Sequence, residues 1–163
     1  MTLPPFQSLL DAHDREVHRF LTAIVGPVDA DDCYQDTWIA ALKAYPDVRD
    51  ASNLRGWLLT IAHNKAIDAV RARARAPLPT ADSALFDGAV QTTPGRGASE
   101  IWELVRRLPD KQRMALTMRY VLDADYALIA ATMETSEDAA RRNVHEALKQ
   151  LRAKYEQPRS TSK

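Results

Sequence analysis

The sequence predicts an all-α protein of two small helical domains joined by a flexible linker, and three observations carry that reading. Apolar residues recur at steps of three and four in one stretch after another, the spacing of a helix face. Residues 77–98 break the rhythm with three of the nine prolines and three of the five glycines, and read as a tether of about 22 residues. The 163 residues suffice for one ordinary domain or two small ones, and the placement of proline and glycine favours two. The expected boundaries are a first domain over 1–76, the linker over 77–98, a second domain over 99–157 and a disordered tail over 158–163.

Taken in order, residues 1–5 are loose, and Phe6, Leu9, Leu10, Val17, Phe20, Leu21, Ile24 and Val25 then mark the inner face of a first helix that Gly26-Pro27 ends. The second helix is expected to be capped by Asp29, to hold Asp31, Asp32 and Asp36 at the positive end of its dipole, and to stop at Pro46. Tyr34, Trp38, Leu42 and Tyr45 fall on its inner face. After the polar elbow VRDASN, Ser52 or Asn53 caps a third helix of about six turns ending at Arg75, with Leu54, Leu58, Ile61, Ala62 and Ala69 inward. The linker has room for one helical turn around Ala84 to Phe86.

Beyond it, Ser99 opens a short helix carrying Ile101, Trp102, Leu104, Val105 and Leu108 and stopped near Pro109. Asp110 caps the next, with Met114, Met118 and Val121 as core filler. A short helix from Asp125 to Met133, a tight turn at Glu134-Thr135 and a long helix from Ser136 to Tyr155 complete the domain, with Thr135 and Asp138 spaced as in a capping box.

Three faces carry chemistry. On the second helix Asp32, Gln35, Asp36 and Ile39 set carboxylates and an amide beside an apolar residue, as a docking surface for a basic partner would; a capped, solvated helix start would look the same. On the third helix Trp57, Thr60, Asn64, Asp68, Arg71 and Arg75 share a stripe that could stack on bases and hold phosphates, although by spacing alone a half-buried core indole is the plainer reading of Trp57. On the last helix Ala140, Val144, Ala147, Leu148 and Leu151 take one side and Arg141, Arg142, His145, Lys149 and Arg152 the other. Short helix, turn and long basic helix make a helix-turn-helix, whose second helix enters the major groove; a solvated basic face is the plainer alternative.

Composition narrows the class. Lys+Arg and Asp+Glu both number 22, which argues against a general nucleic-acid coat and leaves room for local faces. The charge is uneven, with four Asp and no base in residues 29–36 against 12 basic and 10 acidic residues in 99–163. A lone cysteine, Cys33, excludes an internal disulfide framework and reads as a buried thiol. No apolar run is long enough to span a membrane and no signal peptide opens the chain, so a cytoplasmic protein without membrane insertion is expected. His13 and His18 lie five apart, not at the four-residue spacing of a helical zinc pair. With no Ser-His-Asp set, phosphate loop or metal cluster, no enzyme, cofactor or metal is expected.

Two stretches carry a resemblance. Asp29-Ala30-Asp31-Asp32-Cys33-Tyr34-Gln35-Asp36-Thr37-Trp38 and Gly56-Trp57-Leu58-Leu59-Thr60-Ile61-Ala62-His63-Asn64-Lys65-Ala66-Ile67-Asp68-Ala69-Val70-Arg71 resemble the second region of sigma factors of the extracytoplasmic-function (ECF) type. Leu108-Pro109-Asp110-Lys111-Gln112-Arg113, Leu116, Arg119-Tyr120-Val121, Tyr126, Ile129-Ala130 and Ser136 resemble the fourth region of the same family. The chain departs from the pattern at Leu128, where Glu is common, at Glu134, where Gly is common, and at Ala139-Ala140, Asn143 and Glu146 in the recognition helix.

The resemblance implies an alternative sigma factor that binds bacterial core RNA polymerase and directs promoter recognition. It implies that Asp32, Gln35, Asp36 and Ile39 dock on the polymerase. Asn53 in the elbow, with Trp57, Asn64, Arg71 and Arg75, would meet the minus-ten element. Arg141, Arg142 and His145 would reach the minus-thirty-five element, with Lys149 and Arg152 on phosphate. ECF factors often have an anti-sigma partner, which no residue here identifies. The competing reading is a stand-alone helix-turn-helix regulator whose N-terminal bundle serves oligomerisation or sensing.

Overall fold

The computed structural model describes residues 2–75 and 96–156. The expected linker up to residue 95, with the turn around Ala84, and the expected tail lie outside the described residues. Among those described are seven α-helices, two 3-10 turns and no strand. The helices are α1 (Phe6–Val25), α2 (Pro27–Ala44), α3 (Leu54–Arg75), α4 (Arg96–Arg106), α5 (Asp110–Val121), α6 (Tyr126–Met133) and α7 (Glu137–Tyr155), with the 3-10 turns at Tyr45–Asp47 and Ala51–Asn53 between α2 and α3.

One residue separates α1 from α2. Gly26 has φ +84°, a left-handed value that glycine takes at little cost, and its N–H donates to the Thr22 carbonyl to close α1. Pro27 follows as the first residue of α2, where its missing N–H costs nothing. Asp29 therefore does not cap α2. It sits in the first turn, where its carboxylate suits the dipole and accepts from Arg73 Nη1 at 2.5 Å.

The first bundle closes on Val17, Phe20, Leu21 and Ile24 of α1, all without exposed surface, against Ala30, Trp38 and Ala41 of α2 and Leu58, Leu59 and Ala62 of α3. Phe6 meets the Trp38 and Tyr45 rings edge-on at 5.9 and 5.3 Å, while Tyr45 donates its hydroxyl to the Pro4 carbonyl. Leu42, expected inside, is 56% exposed. At 3.6 residues per turn Ala41 falls nearer the line through Tyr34, Trp38 and Tyr45, and Ala41 is the residue that is buried.

α3 is covered on more sides than one amphipathic face requires. Gly56, Leu59, His63, Ala66 and Ile67 are buried along with Leu58 and Ala62, while Leu54, Ile61 and Ala69 are only half-buried. The reason is tertiary: α1 and α2 pack on α3 from the first bundle and α6 packs on it from the second.

The second bundle is built on Val105, Leu108, Met114, Met118, Ile129, Ala140, Val144 and Ala147. Its caps differ from those expected. Ser99 lies inside α4, which begins at Arg96. Pro109 precedes α5, and Asp110 is its first residue, paired with Arg113 at 3.0 Å. Ser136, not Thr135, caps α7 through Oγ, which accepts from Ala139 N–H at 3.1 Å. Asp125 caps α6 by accepting from Leu128 N–H at 2.8 Å. Glu134 makes the turn between them with φ +54°, a left-handed conformation that costs a non-glycine residue about 1 kcal/mol or more.

Arg113, only 6% exposed, ties α4 to α5. Its guanidinium donates to the carbonyls of Arg106 at 2.8 Å and Leu108 at 2.6 Å, beyond the last helical bonds of α4, and to that of Val105 at 3.3 Å, which also accepts from the Leu108 N–H at 3.1 Å. The two bundles then meet along a seam. Arg106 Nε donates to the Ile24 carbonyl at 2.8 Å, Arg55 Nη2 to the Leu122 carbonyl at 3.3 Å, and Arg71 Nη2 to Asp110 at 3.1 Å. Gly56 permits the closest approach, because a Cβ there would overlap Thr132 Oγ1 and the Asn53 amide.

Candidate docking and nucleic-acid interfaces

On α2 the side chains of Asp32, Gln35, Asp36 and Ile39 are all exposed, and Ile39 shows 52% of its surface. Their spacing of three and four puts them on one outward stripe, which Leu42 extends. Beside it lies a hollow of about 600 Å³ between α2 and α3, lined by Asp29, Asp32, Asp36, Lys65, Asp68 and Arg73 among others. Cys33 is buried at its edge, and its thiol pKa rises to about 11 through burial first and the carboxylates of Asp29, Asp36 and Asp32 next. The thiol therefore stays protonated and packs as a small apolar group.

The stripe of α3 faces a cleft. Asn53, Trp57, Thr60, Asn64, Asp68 and Arg71 line one wall of a space of about 940 Å³, whose other wall is Asp110, Lys111 and Met114 of α5 with Thr132 and Met133 of α6. Trp57 is half-buried and tilts against the Tyr45 ring at 6.1 Å, so it serves the core and the cleft at once. Asn53 caps α3 by accepting from Gly56 N–H at 3.0 Å, which commits the amide oxygen and leaves the NH₂ group. Asn64 is exposed, Arg71 is paired with Asp110, and Arg75 is exposed at the end of the helix outside the cleft lining.

His63 lies deeper in the cleft wall, 6% exposed, with Nε2 buried and unpaired and its ring tilted to Phe20 at 6.3 Å. Its pKa falls to about 4, through burial first and the Arg113 charge second, with Asp110 opposing. A neutral imidazole is the form that the seam holds at neutral pH.

On α7 the side chains of Arg141, Arg142, His145, Lys149 and Arg152 are all exposed, opposite the buried Ala140, Val144 and Ala147. Arg141 also lies over the Tyr126 ring at 4.8 Å and donates to Asp138 at 3.3 Å, while Arg119 lies over the same ring at 4.7 Å. The sequence gives no site role to Arg119, Asp110, His63 and Thr132, although the first three stand in its helix caps and motifs. Each acquires its place through contacts between helices, and only the short spacing of Asp110 and Arg113 was visible as a local pair.

His13 and His18, set aside as metal ligands, face separate carboxylates, Glu16 and Asp31, at 3.0 and 3.1 Å. No helix among the described residues is long and apolar enough to cross a membrane.

The described residues thus set an exposed acidic helix, a mixed aromatic and polar cleft and a basic helix-turn-helix on one all-helical fold. The Sigma-70 region 2 family matches residues 9–76, and the Sigma-70, region 4 family matches residues 98–151. The probable RNA polymerase sigma-C factor of Mycobacterium bovis is 30% identical over 128 residues, covering 77% of this chain and 69% of that protein. The ECF sigma factor SigM of Bacillus subtilis is 30% identical over 149 residues, 86% of this chain and 88% of its own. In fold the chain is similar to CnrH, solved with the cytosolic domain of CnrY, at a TM-score of 0.65 and 20% identity, with 92% of this chain and 86% of that one covered. It is equally similar to RpoE of Bartonella quintana, solved with the anti-sigma factor NepR, at a TM-score of 0.65 and 20% identity, with 96% and 100% covered. The chain belongs to the ECF family of RNA polymerase sigma factors. It binds core RNA polymerase and promoter DNA and acts in transcription initiation, which displaces the stand-alone regulator.

Proposed function

We propose that the three faces divide the work of a sigma factor between the two bundles, with the region up to residue 76 binding polymerase and the minus-ten element and the region from residue 99 binding the minus-thirty-five element. The observation that carries the reading is the outward stripe of α2: Asp32, Gln35, Asp36 and Ile39 are exposed together, with no inward task to explain their chemistry. Carboxylates around an apolar centre fit a basic, partly apolar helix of the polymerase, where charge guides the encounter and Ile39 gives buried area.

The cleft side chains Asn53, Trp57, Asn64 and Arg71, with Arg75 beyond it, offer an indole for stacking, amides for base edges and guanidinium groups for phosphate, as an opened minus-ten strand requires. On α7, Arg141, Arg142 and His145 stand near the N-terminal end that meets base edges, and Lys149 and Arg152 stand farther along, beside phosphate. The chain acts by binding, without chemistry of its own, in the cytoplasm where the polymerase works. An anti-sigma partner belongs to the same reading, supported by the likeness in fold to RpoE, which was solved with NepR.

Co-purification with bacterial core RNA polymerase tests the docking face. The wild-type chain should form a stable complex, and a double variant Asp32→Lys, Asp36→Lys should lose it while keeping its helical circular dichroism. Equal recovery of both proteins would remove α2 from the interface.

A further inference from the structure

We infer that the seam between the two bundles is built to part, because it seals the polar atoms Thr132 Oγ1 and His63 Nε2 away from water without giving either a partner. The consequence for DNA, that parting uncovers the α3 stripe, rests on the minus-ten role proposed for that stripe.

Thr132 stands on α6 and is 8% exposed. Its hydroxyl lies so close to α3 that a Cβ on Gly56 would come within 2.4 Å of it. The polar groups of α3 beside it are already engaged: the Asn53 amide oxygen accepts from Gly56 N–H at 3.0 Å, and the Gly56 carbonyl accepts from Thr60 Oγ1 at 2.9 Å. The hydroxyl is therefore packed without being bonded. His63 stands farther along α3 on the same cleft wall. The two charges that act on it, Arg113 and Asp110, both belong to α5, so it stands toward the second bundle.

A hydroxyl or an imidazole nitrogen bonds to water once it is exposed, and burial without a partner forgoes that bond. Each such atom shifts the balance toward the parted form by about tenfold. The bonds across the seam come from half-buried or exposed side chains: Arg55 to the Leu122 carbonyl, Arg106 to the Ile24 carbonyl and Arg71 to Asp110. Water satisfies those groups in the parted form, whereas it does not reach Thr132 Oγ1 and His63 Nε2 in the closed one. Packing closes the seam and the two sealed atoms weaken it. A parted population is thereby kept within reach of any ligand that binds only that form.

The test measures the seam in the full free chain. Nitroxide labels at Ser8→Cys and Lys154→Cys, exposed positions on α1 and α7, report the spread of distances between the bundles by double electron–electron resonance, while the buried Cys33 stays out of the labelling. Thr132→Val keeps the shape and removes the oxygen, so the ratio of parted to closed chains should fall about tenfold. His63→Leu should act in the same direction, with circular dichroism confirming that each variant keeps its helices. Thr132→Ser keeps the oxygen and should show no such fall. A randomised single-stranded oligonucleotide, followed by fluorescence anisotropy on the free chain, is the DNA probe. Its apparent Kd should rise in Thr132→Val by the factor by which the parted share falls, because only the parted form offers the α3 stripe. Equal distance distributions for the wild type, Thr132→Val and His63→Leu would refute the inference, as would an equal fall in Thr132→Val and Thr132→Ser. If Thr132→Val closes the seam without changing Kd while Trp57→Ala weakens binding, the uncovering of α3 is refuted. If Trp57→Ala leaves Kd unchanged as well, the minus-ten reading fails, and the distances alone decide the seam.

Discussion

Replacing Arg113 by Met should be the most damaging single change in the second bundle. The new side chain fills the space but leaves the carbonyls of Arg106 and Leu108 without the donor that now sits 2.8 and 2.6 Å from them, while the Val105 carbonyl keeps the Leu108 N–H at 3.1 Å. A buried acceptor left unpaired costs about 1–3 kcal/mol, and removing one side of a buried charged network costs about 3–5 kcal/mol in total. Asp110 tempers the loss, because its side chain is half-exposed and can turn to water. The working figure is therefore about 3–4 kcal/mol, a large share of a typical total of about 5–15 kcal/mol. For a chain of this size each kcal/mol moves the melting temperature by about 2–4 °C, so a fall of roughly 10 °C is expected. Thermal and guanidinium unfolding followed by circular dichroism would measure it. Arg113→Lys should fall between, because one ammonium cannot serve three carbonyls in the plane of a guanidinium. A cost under about 1 kcal/mol for the Met variant would mean that water satisfies the end of α4 and that Arg113 is not its cap.

Two further changes probe the seam. Gly56→Ala places a Cβ against Thr132 Oγ1 and the Asn53 amide; the Thr132 hydroxyl can turn aside, whereas Asn53 holds the cap bond from Gly56 N–H and must give it up to make room. Alanine at an open helix position gains about 1 kcal/mol over glycine; thermal unfolding should show no such gain here, and a melting temperature above that of the wild type would refute the tight contact. His63, with its pKa lowered to about 4, binds its proton less readily folded than unfolded, where the value is about 6.5. The stability it supports is therefore complete above about pH 6.5 and is lost as pH falls toward 4, by about 3 kcal/mol in all. His63→Leu should flatten that part of the stability profile relative to wild type, and two parallel profiles would count against the assignment.

The helices were legible because each carries its own periodicity. α1 and α7 show this best: Val17, Phe20, Leu21 and Ile24, and Ala140, Val144 and Ala147, are buried as their spacing requires. Caps were less legible, because at α7 two neighbouring hydroxyls compete and geometry selects one, and at α2 and α5 the N-cap position falls on a residue with no side-chain oxygen and no side-chain cap bond. Asp29, Asp110 and Thr135 lost that place to Gly26, Pro109 and Ser136. α3 misled for a different reason. Its spacing describes a helix with one partner, and Leu59, His63, Ala66 and Ile67 are buried because it serves bundles on two sides. Pairs such as Arg71 with Asp110 and Arg119 with Tyr126 leave no local trace, since neither falls at a helical neighbour spacing on one element.

That double duty of α3 sets the order in which the proposed faces become available. The stripe on α2 points outward while α2 packs on α1 and α3, so polymerase docking there requires no movement of the second bundle. The stripe on α3 differs: Arg71 is held by Asp110, and Asn53, Trp57 and Asn64 look across the cleft at α5 and α6. A phosphate taking Arg71 must displace an ion pair whose two side chains are 61% and 50% exposed. Pairs that wet contribute at most about 1 kcal/mol, so on the proposed assignment DNA would displace this one at little cost. Parting the buried Gly56 from Thr132 and the half-buried Arg106 from the Ile24 carbonyl breaks packing and a partly buried hydrogen bond, and is the larger cost. On this assignment the seam, more than the charge pair, sets how much of the free chain offers its minus-ten face, and polymerase contacts to the second bundle are what must offset it.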